Sequence, residues 1–304
     1  PRTGAFFFAM MEADNYLVRA TAFDGRVRAL AVNSTDAVRQ LASLQQTVPA
    51  ATAALGRVAT GTLLLGSMLK KETHLVTVQV RGGGPLGIVL ASANGRGEVR
   101  GLVGNPRPDV PQSRDGKLNV SGAVGTSGRF TVIKDTGLKE PYNSTVEIVS
   151  GEIGRDFAYY FATSEQIPSA VGLGVFVDRD GGVEAAGGYL IQILGGLPEE
   201  EVDALERDIA DLPHPTTMLR GGESPEDILG RVFGDRFEVL DRTPVRFHCP
   251  CSRDRAERAL ILLGPGEIDG IITQQAQRGH TDVTCEFCGS NYRFTLDQLA
   301  ALKN

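Results

Sequence analysis

With 304 residues, 41% of them hydrophobic and 22% charged, the chain has the composition of a globular protein and not of a disordered one. Its formal charge of −6 counts against a nucleic-acid surface, which shows as a basic stripe. The apolar run 4–11 is too short for a spanning helix and leads into Glu12 and Asp14 without a small-residue cleavage site, so a cytoplasmic protein with no membrane partner is expected.

In chain order, residues 16–23 and 26–32 alternate around Asp24-Gly25, a two-residue hairpin turn because Gly accepts positive φ. A helix is predicted over 35–45, capped by Ser34 or Thr35. An Ala- and Leu-rich helix follows over 52–70, where Gly56, Gly61 and Gly66 permit close packing. Further hairpin strands are predicted at 86–93 and 100–103 around Asn94-Gly95, and at 175–177 and 183–185 around Asp180-Gly181-Gly182. Runs 129–133 and 145–149 also read as strands, and 152–164 as a helix carrying Phe157, Tyr160 and Phe161 at helical spacing. Strands joined as hairpins with helices between them give an α+β domain of mainly antiparallel sheet over residues 1–197.

Composition changes near Pro198. Residues 199–211 form an acidic helix, Pro213 and Pro215 interrupt it, and Ser224 with Asp227 makes a capping box around Pro225. The stretch 198–243 therefore reads as a helical linker with a narrow apolar stripe, loosely packed. Residues 244–304 make a third unit, too small for a large core.

No enzymatic site is expected. Gly82, Gly84 and Gly87 match a dinucleotide spacing, but a strand and not a helix follows, which favours a hairpin turn. There is no phosphate-cradling loop ending in Gly-Lys-Ser/Thr, and neither His74 nor His214 has a nucleophile to serve.

The chemistry concentrates in the last unit, which holds all four cysteines as Cys249-x-Cys251 and Cys285-x-x-Cys288-Gly289. In a reducing compartment two close pairs separated by a helical insert point to one tetrahedral Zn2+ per chain, held by Cys249, Cys251, Cys285 and Cys288. His248 and His280 stand near enough in sequence to replace a sulfur. A Cys-x-x-Cys redox enzyme would need a helix after the motif, and a strand-like run, 292–294, follows instead. One intervening residue keeps Cys249 and Cys251 close enough to join with little rearrangement, so the site reads as oxidisable and not only structural. Structural zinc supplies on the order of 10–16 kcal/mol to such a domain, far more than a core of this size, so its loss should unfold the segment.

Across nearly the whole chain the residues resemble the redox-regulated thirty-three-kilodalton heat-shock chaperonin family. The resemblance lies in Asp24-Gly25-Arg26-Val27-Arg28, Ala53-Ala54-Leu55-Gly56-Arg57, Ser150-Gly151-Glu152-Ile153, Ser164-Glu165-Gln166, Ala186-Gly187-Gly188-Tyr189 and both cysteine motifs. A Gln-rich run, 274–277, departs from the acidic residue usual there and leaves the cysteines untouched. The resemblance implies an ATP-independent holdase, inactive when reduced and zinc-bound. Oxidation would form disulfides Cys249–Cys251 and Cys285–Cys288, release zinc and destabilise the linker, and an oxidised homodimer would hold unfolding clients. A zinc-ribbon module for nucleic acid or a protein partner is the competing reading, its local support being Arg253, Arg255 and Arg258.

Overall fold

The structure, a computed structural model, describes residues 15–111 and 118–303. The run 4–11 lies outside the described residues. The chain divides into two compact units, Pro1–His248 and Cys249–Asn304.

The first unit is α+β, as expected. Its five-stranded sheet runs β10-β1-β2-β9-β8, formed by β1 (Tyr16–Ala22), β2 (Val27–Asn33), β8 (Ser169–Val177), β9 (Val183–Ile193) and β10 (Phe237–Pro244). All neighbours in it are antiparallel. A six-stranded sheet is ordered β11-β5-β4-β3-β6-β7, formed by β3 (Leu75–Arg81), β4 (Val89–Asn94), β5 (Glu98–Val103), β6 (Arg129–Asp135), β7 (Tyr142–Glu147) and β11 (Arg246–Phe247). Only the short β11 runs parallel to its neighbour. Asp24 and Gly25 are the central residues of the β1–β2 turn, with φ of 53° and 86° and a bond from Arg26 N–H to Phe23 O, the primed geometry that matches strand twist. The loop holding Gly82, Gly84 and Gly87 joins antiparallel β3 and β4, so no helix N-terminus meets it.

Helix α1 (Thr35–Gln45) has the predicted bounds, although the Ser34 hydroxyl bonds Thr60 and caps nothing. Helix α2 (Pro49–Ser67) starts at a proline and is buried nearly all round, because it contacts strands of both sheets. Its glycines serve that burial: a Cβ at Gly61 would stand 2.4 Å from the Phe157 ring. Short α3 (Val120–Val124) follows. Helix α4 (Gly154–Tyr160) is shorter than predicted, since the chain widens into a π-turn over Phe161–Glu165. There Glu165 accepts hydrogen bonds from Lys134 Nζ and Tyr160 OH.

The stretch 198–243 departs from the sequence reading in two ways. Its helices form as α5 (Glu199–Ala210), α6 (Pro215–Arg220) and α7 (Pro225–Phe233), and the Ser224–Asp227 capping box is present. They are not loosely held: Leu205, Met218, Ile228, Leu229, Val232 and Phe233 are buried on a sheet face of Val18, Ala20, Ala22, Ala29 and Ala31. The small residues let the helices approach closely, and at Gly174 an added Cβ would lie 2.4 Å from the His214 ring. Secondly, the stretch ends in a strand. β10 pairs with β1 along seven residues, with Leu240 bulged between Val239 and Asp241. Its sequence signal is diluted because an edge strand carries charge on alternate positions and tolerates Pro at its end.

The second unit contains α8 (Arg253–Leu263), α9 (Pro265–Gln274), a two-stranded hairpin of β12 (His280–Thr284) with β13 (Asn291–Thr295), and α10 (Leu296–Ala301). Its buried apolar residues among those described are Ala256, Leu260, Ile268, Phe294 and Leu299. That is a small core for a unit of more than fifty residues, a size at which packing alone seldom secures a fold without a staple or a metal.

Candidate metal centre

Cys249 and Cys251 flank Pro250 on the segment entering α8. Ser252 caps that helix, its hydroxyl accepting from Arg255 N–H at 3.3 Å, so Cys251 stands at a helix N-terminus, where the backbone dipole favours negative charge. Cys285 and Cys288 occupy the tight connection between β12 and β13. That turn is closed by Cys285 N–H donating to Ser290 O and Gly289 N–H donating to Cys285 O, both at 2.8 Å. Gly289 has φ of +72°, the left-handed region that a residue with a side chain enters at a cost.

These two arms bring all four Sγ atoms within 4.8 Å of one another. Cys249 Sγ lies 3.7 Å from Cys285 Sγ, and Cys251 Sγ 3.3 Å from Cys288 Sγ. A tetrahedral cation with bonds to sulfur of about 2.3 Å spaces its ligands at about 3.8 Å. The donor set therefore fits a thiophilic metal ion. All four cysteines are free thiols, since a disulfide would need a sulfur separation of about 2.05 Å. The described group contains no histidine. His280 instead faces Arg278 O through Nδ1 at 2.9 Å and Asp282 through Nε2 at 3.7 Å.

The sulfurs are electrostatically unequal. Burial, reinforced by the neighbouring thiols, pushes the Cys249 thiol up to about 12. Burial acts the same way on Cys288, but hydrogen bonds with Ser290 and the Cys251 and Cys285 thiols outweigh it and bring that thiol down to about 6. Ligation requires deprotonated sulfur, so a metal and protons compete for this cluster.

Two contacts beyond the ligands were not anticipated from sequence. Tyr292 OH stands 3.1 Å from Cys251 Sγ, and the Ser290 hydroxyl 3.2 Å from Cys288 Sγ. Their only sequence signal is closeness to the Cys285/Cys288 knuckle; the cross-strand register, with Tyr292 opposite Val283, is what brings the ring to the other cysteine arm. Arg253 is the second strut. It bonds Arg293 O at 2.8 Å and Gln298 Oε1 at 3.0 Å and lies 4.3 Å from the Phe294 ring centre.

The chain is similar to known proteins along nearly its whole length. The family model described as Hsp33 protein matches residues 15–295. The 33 kDa chaperonin of Bacillus subtilis (strain 168) is 44% identical over 290 residues, covering 95% of this chain and 98% of that protein. The 33 kDa chaperonin of Enterococcus faecalis is 42% identical over 292 residues, covering 96% and 97%. Among solved structures, the 33 kDa chaperonin of Thermotoga maritima superposes with a TM-score of 0.86 at 35% identity, covering 95% of this chain and 98% of that one. No described helix is long and apolar enough to cross a membrane.

Proposed function

The chain belongs to the Hsp33 family of chaperones, and from that premise we propose that it is a redox-gated, ATP-independent holdase and not an enzyme. In the reduced state Cys249, Cys251, Cys285 and Cys288 hold one Zn2+, which when bound supplies the folding energy that the five-residue core of the second unit lacks. Oxidation pairs Cys249 with Cys251 and Cys285 with Cys288. Neither disulfide can ligate as the four thiolates do, and the second unit loses its organising centre.

The observation that carries this reading is the combination of a four-sulfur cluster with a core too small to stand alone. Residues 198–243 are the proposed switch segment. Chain continuity couples them to the cluster, because β10 and β11 end at Pro244 and Phe247, just before Cys249. Release of α5, α6 and α7 would uncover Val18, Ala20, Ala22, Val27, Ala29, Ala31 and Ile191, a flat apolar face suited to unfolding segments of many sequences. Clients are thus unfolding proteins in the cytoplasm, held by an oxidised homodimer. The competing nucleic-acid reading is weakened by Arg253, whose guanidinium is committed inside its own unit.

The test is suppression of aggregation of a heat-labile client. Zinc-loaded, reduced protein is expected to be inactive, and peroxide with mild heat to activate it. Equal activity in the reduced protein and in a variant with all four cysteines changed to serine would remove the reading.

A further inference from the structure

The proposed site has an asymmetry that its four sulfurs alone do not explain. One edge of the cluster, Cys251 to Cys288, carries two side-chain hydroxyls, Tyr292 OH at 3.1 Å from Cys251 and Ser290 Oγ at 3.2 Å from Cys288. No side-chain hydroxyl is recorded against Cys249 or Cys285 among the described contacts. A thiolate has acceptor capacity only, so once the sulfur has lost its proton, each hydroxyl facing it acts as the donor. Four thiolates on a divalent cation leave a charge of −2, and donors aimed at sulfur offset it. Such partners fix ligand orientation and carry a substantial share of metal affinity.

The same bonds bear on oxidation. When hydrogen peroxide takes a pair of thiols to a disulfide, sulfur attacks oxygen and the O–O bond breaks. Two electrons pass from the two thiolates to peroxide, whose oxygens leave as two hydroxides and take up solvent protons to become water. The attacking electrons are the sulfur lone pairs that a hydroxyl donor withdraws. Tyr292 is held in place for this task. It belongs to β13, where Phe294, two residues on, is fully buried and covered by Arg253.

Resting on the zinc-holdase reading, we propose that the Tyr292 hydroxyl, supported by Ser290, is a positioning residue that acts through Cys251 to set the oxidant threshold at which the metal is released. It makes the reduced site tighter and slower to react than four bare thiolates would be.

The experiment uses the full chain as Tyr292→Phe, which keeps the ring and removes only the hydroxyl, with Ser290→Ala in parallel. Three quantities are read: Zn2+ retention against a chromogenic chelator, thiol loss at fixed peroxide, and the sulfur-to-metal charge-transfer band of the Co2+-loaded protein. Tyr292→Phe is expected to weaken retention roughly 10- to 100-fold, to speed thiol loss, and to move the band to lower energy as the sulfur lone pairs rise. Ser290→Ala should shift all three in the same direction, which keeps the proposal testable should Tyr292→Phe fail to fold. Unchanged retention, kinetics and band in a variant that binds metal overturn the assignment. A wild-type chain that oxidises normally yet never suppresses aggregation removes the holdase reading and leaves these three measurements standing.

Discussion

The two units of this chain solve the problem of holding a fold by opposite means. In the first, α2 is buried on nearly every side between two sheets, and its order follows from apolar area that no small reagent can remove. In the second, a handful of buried side chains accompanies a cluster of four sulfurs, and on the proposed reading order depends on a bond set that an oxidant or a chelator can take away. A fold built on area is permanent. A fold built on ligation is conditional, and on the proposed reading residues 198–243, the last part of the first unit before the cysteines, are where that condition is passed on.

The strongest way to break this contrast is to remove the metal. Chelation of reduced protein is expected to cost the second unit on the order of 10 kcal/mol, abolishing amide exchange protection over 253–303 while α2 keeps its own. Retained protection in both regions would show that the small unit stands without ligation.

Next in size are matched core truncations. Phe157→Ala and Phe294→Ala each remove a fully buried ring, and each should cost about 3–5 kcal/mol. The first unit should survive with a lowered Tm. The second is expected to need metal even in the wild type, so Phe294→Ala should fold only at higher metal concentration than the wild type requires. Metal-dependent circular dichroism of the two variants checks this.

Smaller is the loss of the α7 cap. Ser224→Ala removes the hydroxyl that accepts from Asp227 N–H and should destabilise α7 by about 1 kcal/mol. Faster amide exchange in Pro225–Phe233 with an unchanged α2 is expected, together with activation at lower oxidant; an unaltered exchange rate would separate the cap from the switch.

The smallest effect sharpens the permanent half. Burial raises the Glu165 carboxyl, but the Lys134 ammonium and the Tyr160 hydroxyl outweigh it and leave its pKa below the usual carboxylate range. A depressed folded value means stabilisation present above the unfolded pKa of about 4.3 and lost as pH falls through the folded value. Glu165→Gln should therefore flatten the acid limb of the first unit's stability curve, and an unchanged limb would mean the ion pair contributes nothing.

Sequence made some of these features legible and hid others for physical reasons. β1 and β2 could be read because alternation and an Asp-Gly turn are local signals, and the α7 cap because Ser224 and Asp227 sit three residues apart. The sulfur cluster was legible for the same reason, since ligand spacing is short-range on each arm. β10 was not, because its partner β1 lies at the other end of the domain, and β12 was not, because five residues of mixed polarity carry little period. The Tyr292–Cys251 contact depends on cross-strand register joined to a helix entry, a tertiary fact with no local trace. The π-turn over Phe161–Glu165 was read as ordinary helix because its side chains keep a helical rhythm while the backbone widens.

The β1–β10 pairing has a consequence for how the molecule is made. Arg19 and Asp241, which meet across it, are 222 residues apart. At roughly 5–20 residues per second, β1 leaves the ribosome about ten to forty seconds before its partner exists. Throughout that interval the first strand has an open edge and an uncovered apolar face, in the company of other emerging chains. A nascent copy is thus exposed on the surface proposed to seize unfolding proteins, so synthesis itself is a window of self-association. Pulse-labelled ribosome-bound chains should be more protease-sensitive in Tyr16–Ala22 before residue 244 emerges than after.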